Sequence, residues 1–227
     1  MDSVFNEFKD RKNEIKIYID FITISEHNDI IYKTINDNGI DKSELRRIFL
    51  ANTYLLLYNL VESTIRNTIQ EIYDHLKDNR ITFDLLKSNI KKTIFKGLRV
   101  KSPTNITNQI RSITTDIISI SFDPDNISNG NLDARKIREI ANNYCFPDST
   151  PYLECKNGEK LLEIKNKRND LSHGIISFSE CGRDIAIGDL TNAFNETSSY
   201  LENIIENVRG YLDSQSYLHS QSTAGRP

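Results

Sequence analysis

Apolar residues recur at three-, four- and seven-residue steps along most of the chain, the spacing that places side chains on one face of an α-helix. The first such stretch covers residues 4–23 and carries Val4, Phe5, Phe8, Ile15, Ile19 and Ile22. A longer one runs from Glu44 to about Leu76 without proline or glycine, and residues 54–58 in its middle are apolar on every side. A helix that is apolar all round is buried in a bundle. The pattern therefore predicts an all-α fold with a long central helix.

Five further stretches show helical spacing and complete a predicted helical bundle: residues 83–98, 105–120, 132–144, 159–173 and 189–212. Residues 175–187, which contain Gly182, predict a short β-hairpin or an ordered loop. We interpret residues 1–213 as a single domain. Residues 214–227 are polar, and we expect them to form a disordered tail.

Composition indicates the class of protein and the compartment in which we expect it. Hydrophobic residues make up 37% and charged residues 27%, as in soluble globular proteins. No apolar run approaches the roughly 20 residues that span a bilayer, and the first residues lack the basic and apolar segments of a signal peptide. We expect a cytoplasmic protein without membrane contact.

Metal and cofactor chemistry find little support in the sequence. The three cysteines form no CxxC pair, and the histidines at positions 27, 75, 173 and 219 are too scattered for a metal site. The chain also lacks a glycine-rich phosphate loop, which argues against a phosphoryl- or nucleotidyl-transfer enzyme. We expect any catalysis to proceed without a metal or a cofactor.

The segment from Arg168 to His173, followed by Gly174, places an arginine and a histidine five positions apart at the end of a predicted helix. Arginine offers a permanently charged planar group to a phosphate, and histidine exchanges protons near neutral pH. Together they suit RNA cleavage through the ribose 2'-hydroxyl, which leaves a 2',3'-cyclic phosphate. Asn169 would be a positioning donor.

Helix geometry complicates this hypothesis. Five residues at about 100° each separate Arg168 and His173 by roughly 140° around the helix axis. Either the helix distorts near Gly174, or a second copy completes the site across a twofold axis in a homodimer. A purely structural interpretation stays open, in which His173 interacts with the helix dipole and Arg168 pairs with Asp170 or Glu163.

The motif resembles that of the HEPN superfamily, in which an arginine, four to six residues and then a histidine form the defining pattern. Residues 60–67, 130–140 and 180–184 resemble a bacterial HEPN-like nuclease branch, so the similarity covers about residues 45–213. The resemblance implies a helical bundle that dimerises along its motif helices. It further implies a metal-independent endoribonuclease of toxin-antitoxin, abortive-infection or antiviral systems, with Arg168, Asn169 and His173 at its catalytic site and an antitoxin or regulatory protein as partner.

Ile175 stands where one toxin-antitoxin branch carries a modified tyrosine, so the resemblance does not extend to that modification. Some members of the superfamily are inactive, which leaves a second interpretation, a nucleotide-binding or protein-interaction module.

Other basic residues could guide RNA. Lys165 and Lys167 flank the motif, and Arg66 follows Glu62 by one helical turn, although surface solubility and a helical ion pair explain them equally well. A basic run without acidic residues comprises Lys87, Lys91, Lys92, Lys96, Arg99 and Lys101. It could follow an RNA backbone or form a solvated helix face. The formal net charge of -3 argues against a generally basic surface.

Overall fold

A computed structural model of the protein describes residues 1–26, 37–99, 116–124, 127 and 130–219. Its helices are α1 (Asp2–Glu26), α2 (Lys42–Asp78), α3 (Ser88–Arg99), α4 (Asp116–Ser121), α5 (Ala134–Tyr144), α6 (Tyr152–Cys155), α7 (Glu159–Ser172), α8 (Phe178–Cys181) and α9 (Ile187–Asp213). Single 3-10 turns lie at Phe83–Leu85 and Lys156–Gly158. These residues contain no strand, which confirms the predicted all-α bundle.

The central helix α2 organises the fold. Asp41 caps its first turn by accepting a hydrogen bond of 2.8 Å from the Ser43 amide. Helices α1, α7, α8 and α9 all pack against it, and most of its apolar residues are buried. In the described part of the chain, no helix is both long and apolar enough to cross a membrane.

The predicted helix over residues 83–98 is broken near its start. Leu86 is extended and pairs with Leu218 in an isolated antiparallel bridge, while the Lys87 amide donates to the Tyr217 carbonyl over 3.0 Å. This bridge interrupts the helical hydrogen bonds, so α3 begins only at Ser88. Of the predicted helix over residues 105–120, only the part from Asp116 lies within the described residues.

The same bridge joins residues 217–219 to the bundle. Tyr217 is buried, and the His219 amide donates to the Leu85 carbonyl over 2.8 Å. The packed chain therefore continues past residue 213 as far as His219, because a buried aromatic ring lies within the polar segment. Residues 220–227 of the predicted tail lie outside the described residues.

Of the two alternatives predicted for residues 175–187, a short hairpin or an ordered loop, the hairpin is absent, because the segment contains no strand. Ser177 and Glu180 form a capping box that starts the short helix α8. Gly182 then lies directly against α2, where an added Cβ would overlap the backbone carbonyl of Arg47. Helix α8 packs on α2 in this way, and the segment makes tertiary contacts in place of strand pairing.

Candidate functional site

The motif helix α7 ends in a defined turn at the predicted catalytic histidine. The Ile175 amide donates to the Asp170 carbonyl over 2.9 Å, and the Gly174 amide donates to the Leu171 carbonyl over 3.2 Å. This is the Schellman pattern, and Gly174 adopts the positive φ of 66° that it requires. His173 is the last residue before this turn and is exposed. No described residue forms a hydrogen bond with its imidazole, so the ring is available to a ligand.

Arg168 is held much more closely. Its guanidinium carbon lies 4.6 Å from the centre of the Tyr58 ring, which is fully buried in α2. Its Nη1 donates to the side-chain oxygen of Asn169 over 3.0 Å. Cation–π contact and a hydrogen bond together orient the guanidinium without neutralising its charge. The positive charge remains available to a phosphate.

The backbone at Gly130 lies very close to the guanidinium of Arg168. A Cβ added to Gly130 would lie 2.8 Å from the Nη1 of Arg168, which is too close for a real side chain. Gly130 also has a φ of 72°, which is unfavourable for residues with a Cβ. Glycine suits this close approach because it adopts the positive φ without strain and has no Cβ to displace the arginine side chain.

The residues after Gly130 attach to the same region. The side-chain amide of Asn169 donates to the Asn131 side-chain oxygen over 3.3 Å. The Leu132 amide donates to the hydroxyl of Tyr58 over 3.2 Å, so the ring beneath Arg168 is itself fixed. Residues 130–133, the 130–133 loop, thus connect α2 with the motif helix around Arg168.

Asp133, the last residue of this loop, caps one helix and forms an ion pair with another. It caps α5 by accepting a hydrogen bond from the Lys136 amide, and it forms a 2.6 Å ion pair with Lys165 of the motif helix. The side chains of Asp133 and Lys165 are only 8% and 14% exposed. Burial tends to raise the pKa of Asp133, but hydrogen bonds from Lys165 and from the Lys136 amide outweigh burial and lower that pKa.

We expect Asp133→Asn to lower the free energy of unfolding by about 2 kcal/mol at pH 7, because Asn still caps α5 but leaves the Lys165 charge nearly buried and unpaired. The lowered pKa means that the stabilisation is present above the unfolded pKa of about 3.9 and is lost as the pH falls through the folded value. Urea unfolding from pH 7 downward should therefore show the stabilities of parent and variant converging in acid.

Glu139→Gln, which breaks an exposed pair with Lys136, is the control and should change stability by at most about 0.5 kcal/mol. A pH-independent loss for Asp133→Asn would contradict this account.

The opposite side of the motif helix is fixed as well. The Tyr54 hydroxyl donates to Glu163 over 2.7 Å, and Lys160 donates to the other carboxylate oxygen over 2.9 Å. Burial and the neighbouring Glu163 raise the pKa of Tyr54, so its hydroxyl stays a donor. Lys167 lies 5.3 Å from the centre of the Tyr54 ring. The motif helix is thus anchored on both sides, and its end carries the exposed His173.

The structure separates the residues that the sequence suggested for catalysis and for substrate binding. Arg168 and Asn169 adjoin the 130–133 loop, whereas Lys167 lies over Tyr54 and Lys165 is engaged by Asp133. Arg66 approaches Glu62 at 3.7 Å within α2, forming a half-buried helical ion pair. Lys165 and Arg66 thus have structural contacts of their own.

Sequence reasoning did not assign Tyr58, Gly130, Asn131 and Asp133 to the site. Tyr58 was indistinguishable from other core residues of a buried helix. Residues 130–140 did stand out as a block of family resemblance, which was the available signal for the loop. Among the described residues, no group of three or more His, Cys, Asp or Glu side chains could hold a metal ion.

Comparison with known proteins places the chain in a family. A family model described as HEPN_MAE_28990-like HEPN matches residues 1–217, and so includes the motif helix and the 130–133 loop. No curated protein and no solved structure matches the chain.

Proposed function

The chain belongs to the HEPN_MAE_28990-like HEPN family, and on this premise we propose that it is a metal-independent endoribonuclease acting as a toxin or antiviral effector. One observation carries the proposal: the motif combines an anchored arginine with an exposed histidine whose imidazole has no partner among the described residues. A phosphate-binding cation needs a fixed position, and a proton-transfer group needs access to the substrate. Arg168 and His173 meet these two requirements.

The reaction follows from the chemistry of these groups. The 2'-oxygen of a ribose attacks the adjacent phosphorus, and the bond from phosphorus to the 5'-oxygen of the next nucleotide breaks. His173 removes the proton of the 2'-hydroxyl or returns one to the leaving oxygen. Arg168 stabilises the charge that develops on the phosphate, since its guanidinium has five N–H donors and Asn169 takes one of them. The products are a 2',3'-cyclic phosphate and a 5'-hydroxyl.

A homodimer would assemble the complete site. Residues 162, 166 and 173 follow one another at four- and seven-residue steps, and so lie along one exposed face of the motif helix. Leu162 on this face is 50% exposed and Ile175 beyond its end is 68% exposed, although both side chains are large and apolar. A second copy packing along α7 would cover them and place two copies of Arg168 and His173 in one groove.

The proposed biological role follows from the need to control such an enzyme. An enzyme that cuts RNA without a metal or cofactor is active wherever its substrate is present, so its host must restrain it. A protein antitoxin or another regulatory protein is the partner that the resemblance implies. A toxin or antiviral effector fits that requirement.

The contacts of Arg168 also favour a second candidate function. A guanidinium stacked on a buried tyrosine stabilises the bundle even if no reaction takes place. In that case the protein is an inactive HEPN module that binds a nucleotide or another protein. The two candidates differ in whether RNA is cut.

The test incubates the purified protein with a panel of structured and single-stranded RNAs in EDTA. We expect cleavage that leaves 2',3'-cyclic phosphate and 5'-hydroxyl ends, identified by mass spectrometry. A matched oligonucleotide with a single 2'-deoxy sugar at the cut site should resist cleavage, because it lacks the attacking oxygen. Cleavage of the deoxy substrate, products with 3'-hydroxyl ends, or no cleavage by a folded protein would each contradict the proposal.

A further inference from the structure

A cleft of about 520 Å³ lies between α3, α4 and α5, away from the motif. Its volume is within the range of small-molecule sites, roughly 300–1,000 Å³. Polar side chains dominate its lining, and three of them are the lysines Lys92, Lys96 and Lys136. The carboxylates of Asp123 and Glu139 also line it. The cleft therefore has an excess of positive side chains in a protein whose net charge is negative.

Hydrogen bonds hold the walls of the cleft in place. The side-chain amide of Asn89 donates to the Asn142 carbonyl, and the Thr93 hydroxyl donates to the Asn143 carbonyl, each over 3.3 Å. These bonds fix α3 against the end of α5. On the other side, an added Cβ on Gly97 would overlap the Ser121 carbonyl, which shows how closely α3 approaches α4. These contacts hold the described walls of the cleft in fixed positions.

The lysines of α3 divide into two groups with different surroundings. Lys91 donates to the Asp84 carbonyl over 2.7 Å and lies over the Phe83 ring. Lys92 and Lys96, one turn apart, are exposed at the cleft and form no ion pair with any described residue. Lys136 is paired with Glu139 at 2.9 Å. Two lysines of the basic run without an ion pair among the described residues, Lys92 and Lys96, thus lie at the cleft.

Helix α5 links this cleft to the motif. Asp133 at its start binds Lys165 of the motif helix, and Lys136 lies three residues further, about 4.5 Å along the axis. Ile140 and Asn143 continue the cleft along the same face of α5. A nucleic-acid strand lying in the cleft would therefore approach the motif helix at the start of α5.

We propose that this cleft binds the phosphodiester backbone of the RNA strand outside the cleavage site, with Lys92 and Lys96 contacting two phosphates. The inference rests on the proposed function for the identity of its ligand. Single-stranded nucleic acid binds to basic grooves that follow its backbone. Each neutralised phosphate of a single strand contributes about 0.7 to the slope of log affinity against log salt concentration.

The test measures binding of a fluorescent single-stranded RNA to the full chain by anisotropy, over a series of salt concentrations. We expect the double variant Lys92→Ala/Lys96→Ala to bind about tenfold more weakly at low salt and to lower the salt slope by about 1.4, the contribution of two phosphates. The control is Lys9→Ala/Lys16→Ala, which removes two exposed lysines from α1 and should leave the slope unchanged. The inference is overturned if Lys92→Ala/Lys96→Ala leaves the salt slope unchanged, if both double variants lose the same RNA affinity, or if the parent does not bind RNA.

Two further measurements distinguish a strand-binding cleft from a nucleotide pocket, and failure of this inference from failure of the proposed function. A mononucleotide whose binding depends on Lys92 and Lys96, with RNA binding unaffected, would show a nucleotide pocket and overturn the strand proposal. Cleavage kinetics on the same samples should show a raised KM with kcat unchanged. If the parent cuts RNA and the double variant has the parental KM, this inference fails and the proposed function stands. If the parent binds RNA through these lysines without cutting it, the proposed function fails and the inference stands.

Discussion

Arg168→Ala and His173→Ala should each lower RNA cleavage by about a hundredfold or more and leave the fold intact. Removing a proton-transfer group usually costs about 10²–10⁴ in rate, and removing a group that stabilises transition-state charge costs about 10²–10³. His173 is exposed, so its truncation leaves no cavity. Initial rates on a labelled RNA, with circular dichroism as the measure of folding, test the expectation.

The anchoring of Arg168 makes a conservative variant informative. Arg168→Lys keeps the positive charge but loses the planar group that lies over Tyr58 and reaches Asn169. We expect this variant to stay close to the alanine variant in rate. The matched control is Arg183→Lys, because Arg183 is exposed and this substitution likewise keeps the positive charge. Parental activity in Arg168→Lys would show that charge alone is sufficient and that the fixed geometry has no role.

Mixing the two inactive proteins tests whether two copies share one groove. A heterodimer of the Arg168→Ala and His173→Ala chains has one intact arginine and one intact histidine, contributed by different copies. We expect the mixture, after exchange of subunits, to recover a measurable fraction of parental activity. No recovery, with exchange verified by native mass spectrometry, would place both groups within one chain.

The helices could be predicted because the sequence patterns that mark a helix are local. Apolar periodicity and the Asp41 cap lie within one or two turns of the residues that they govern, and the structure follows them in α2. The end of the motif helix was equally clear, since Gly174 supplies the positive φ of its terminal turn. The candidate pair Arg168 and His173 came from this local pattern together with family resemblance.

The environment of that pair was not predictable in the same way. The contacts between Gly130 and Arg168 and between Asp133 and Lys165 join residues that are more than 30 positions apart, and no periodicity encodes them. The bridge between Leu86 and Leu218 also depends on the folded chain, and it shortens a helix whose local pattern looked continuous. Such contacts depend on how the helices pack.

The hairpin alternative for residues 175–187 had a different origin. Gly182 and the short apolar runs around it are typical of a turn between strands. The pattern of Ser177 followed three residues later by Glu180 was nevertheless readable as a capping box, and the structure forms it. The glycine serves close packing of α8 on α2 and does not form a strand turn.

That close packing predicts the largest effect on stability. We expect Gly182→Ala to lower the free energy of unfolding by about 3 kcal/mol, because the new Cβ would lie 2.6 Å from the carbonyl carbon of Arg47. The obstacle is the backbone of α2, which cannot rotate away as a flexible side chain would. In a protein of this size the change corresponds to a Tm lower by about 6–12 °C, measured by thermal unfolding at 222 nm.

Gly210→Ala is the matched control, because Gly210 lies in α9 with no atom within 4 Å of the added Cβ. Replacing an open helical glycine with alanine should raise stability by about 0.5–1 kcal/mol. The two substitutions add the same methyl group and should shift Tm in opposite directions. Since α8 also contacts the motif helix, Gly182→Ala should reduce RNA cleavage below the temperature at which the protein unfolds. A Tm for Gly182→Ala within about 2 °C of the parent would show that α8 can move away from α2 at little cost.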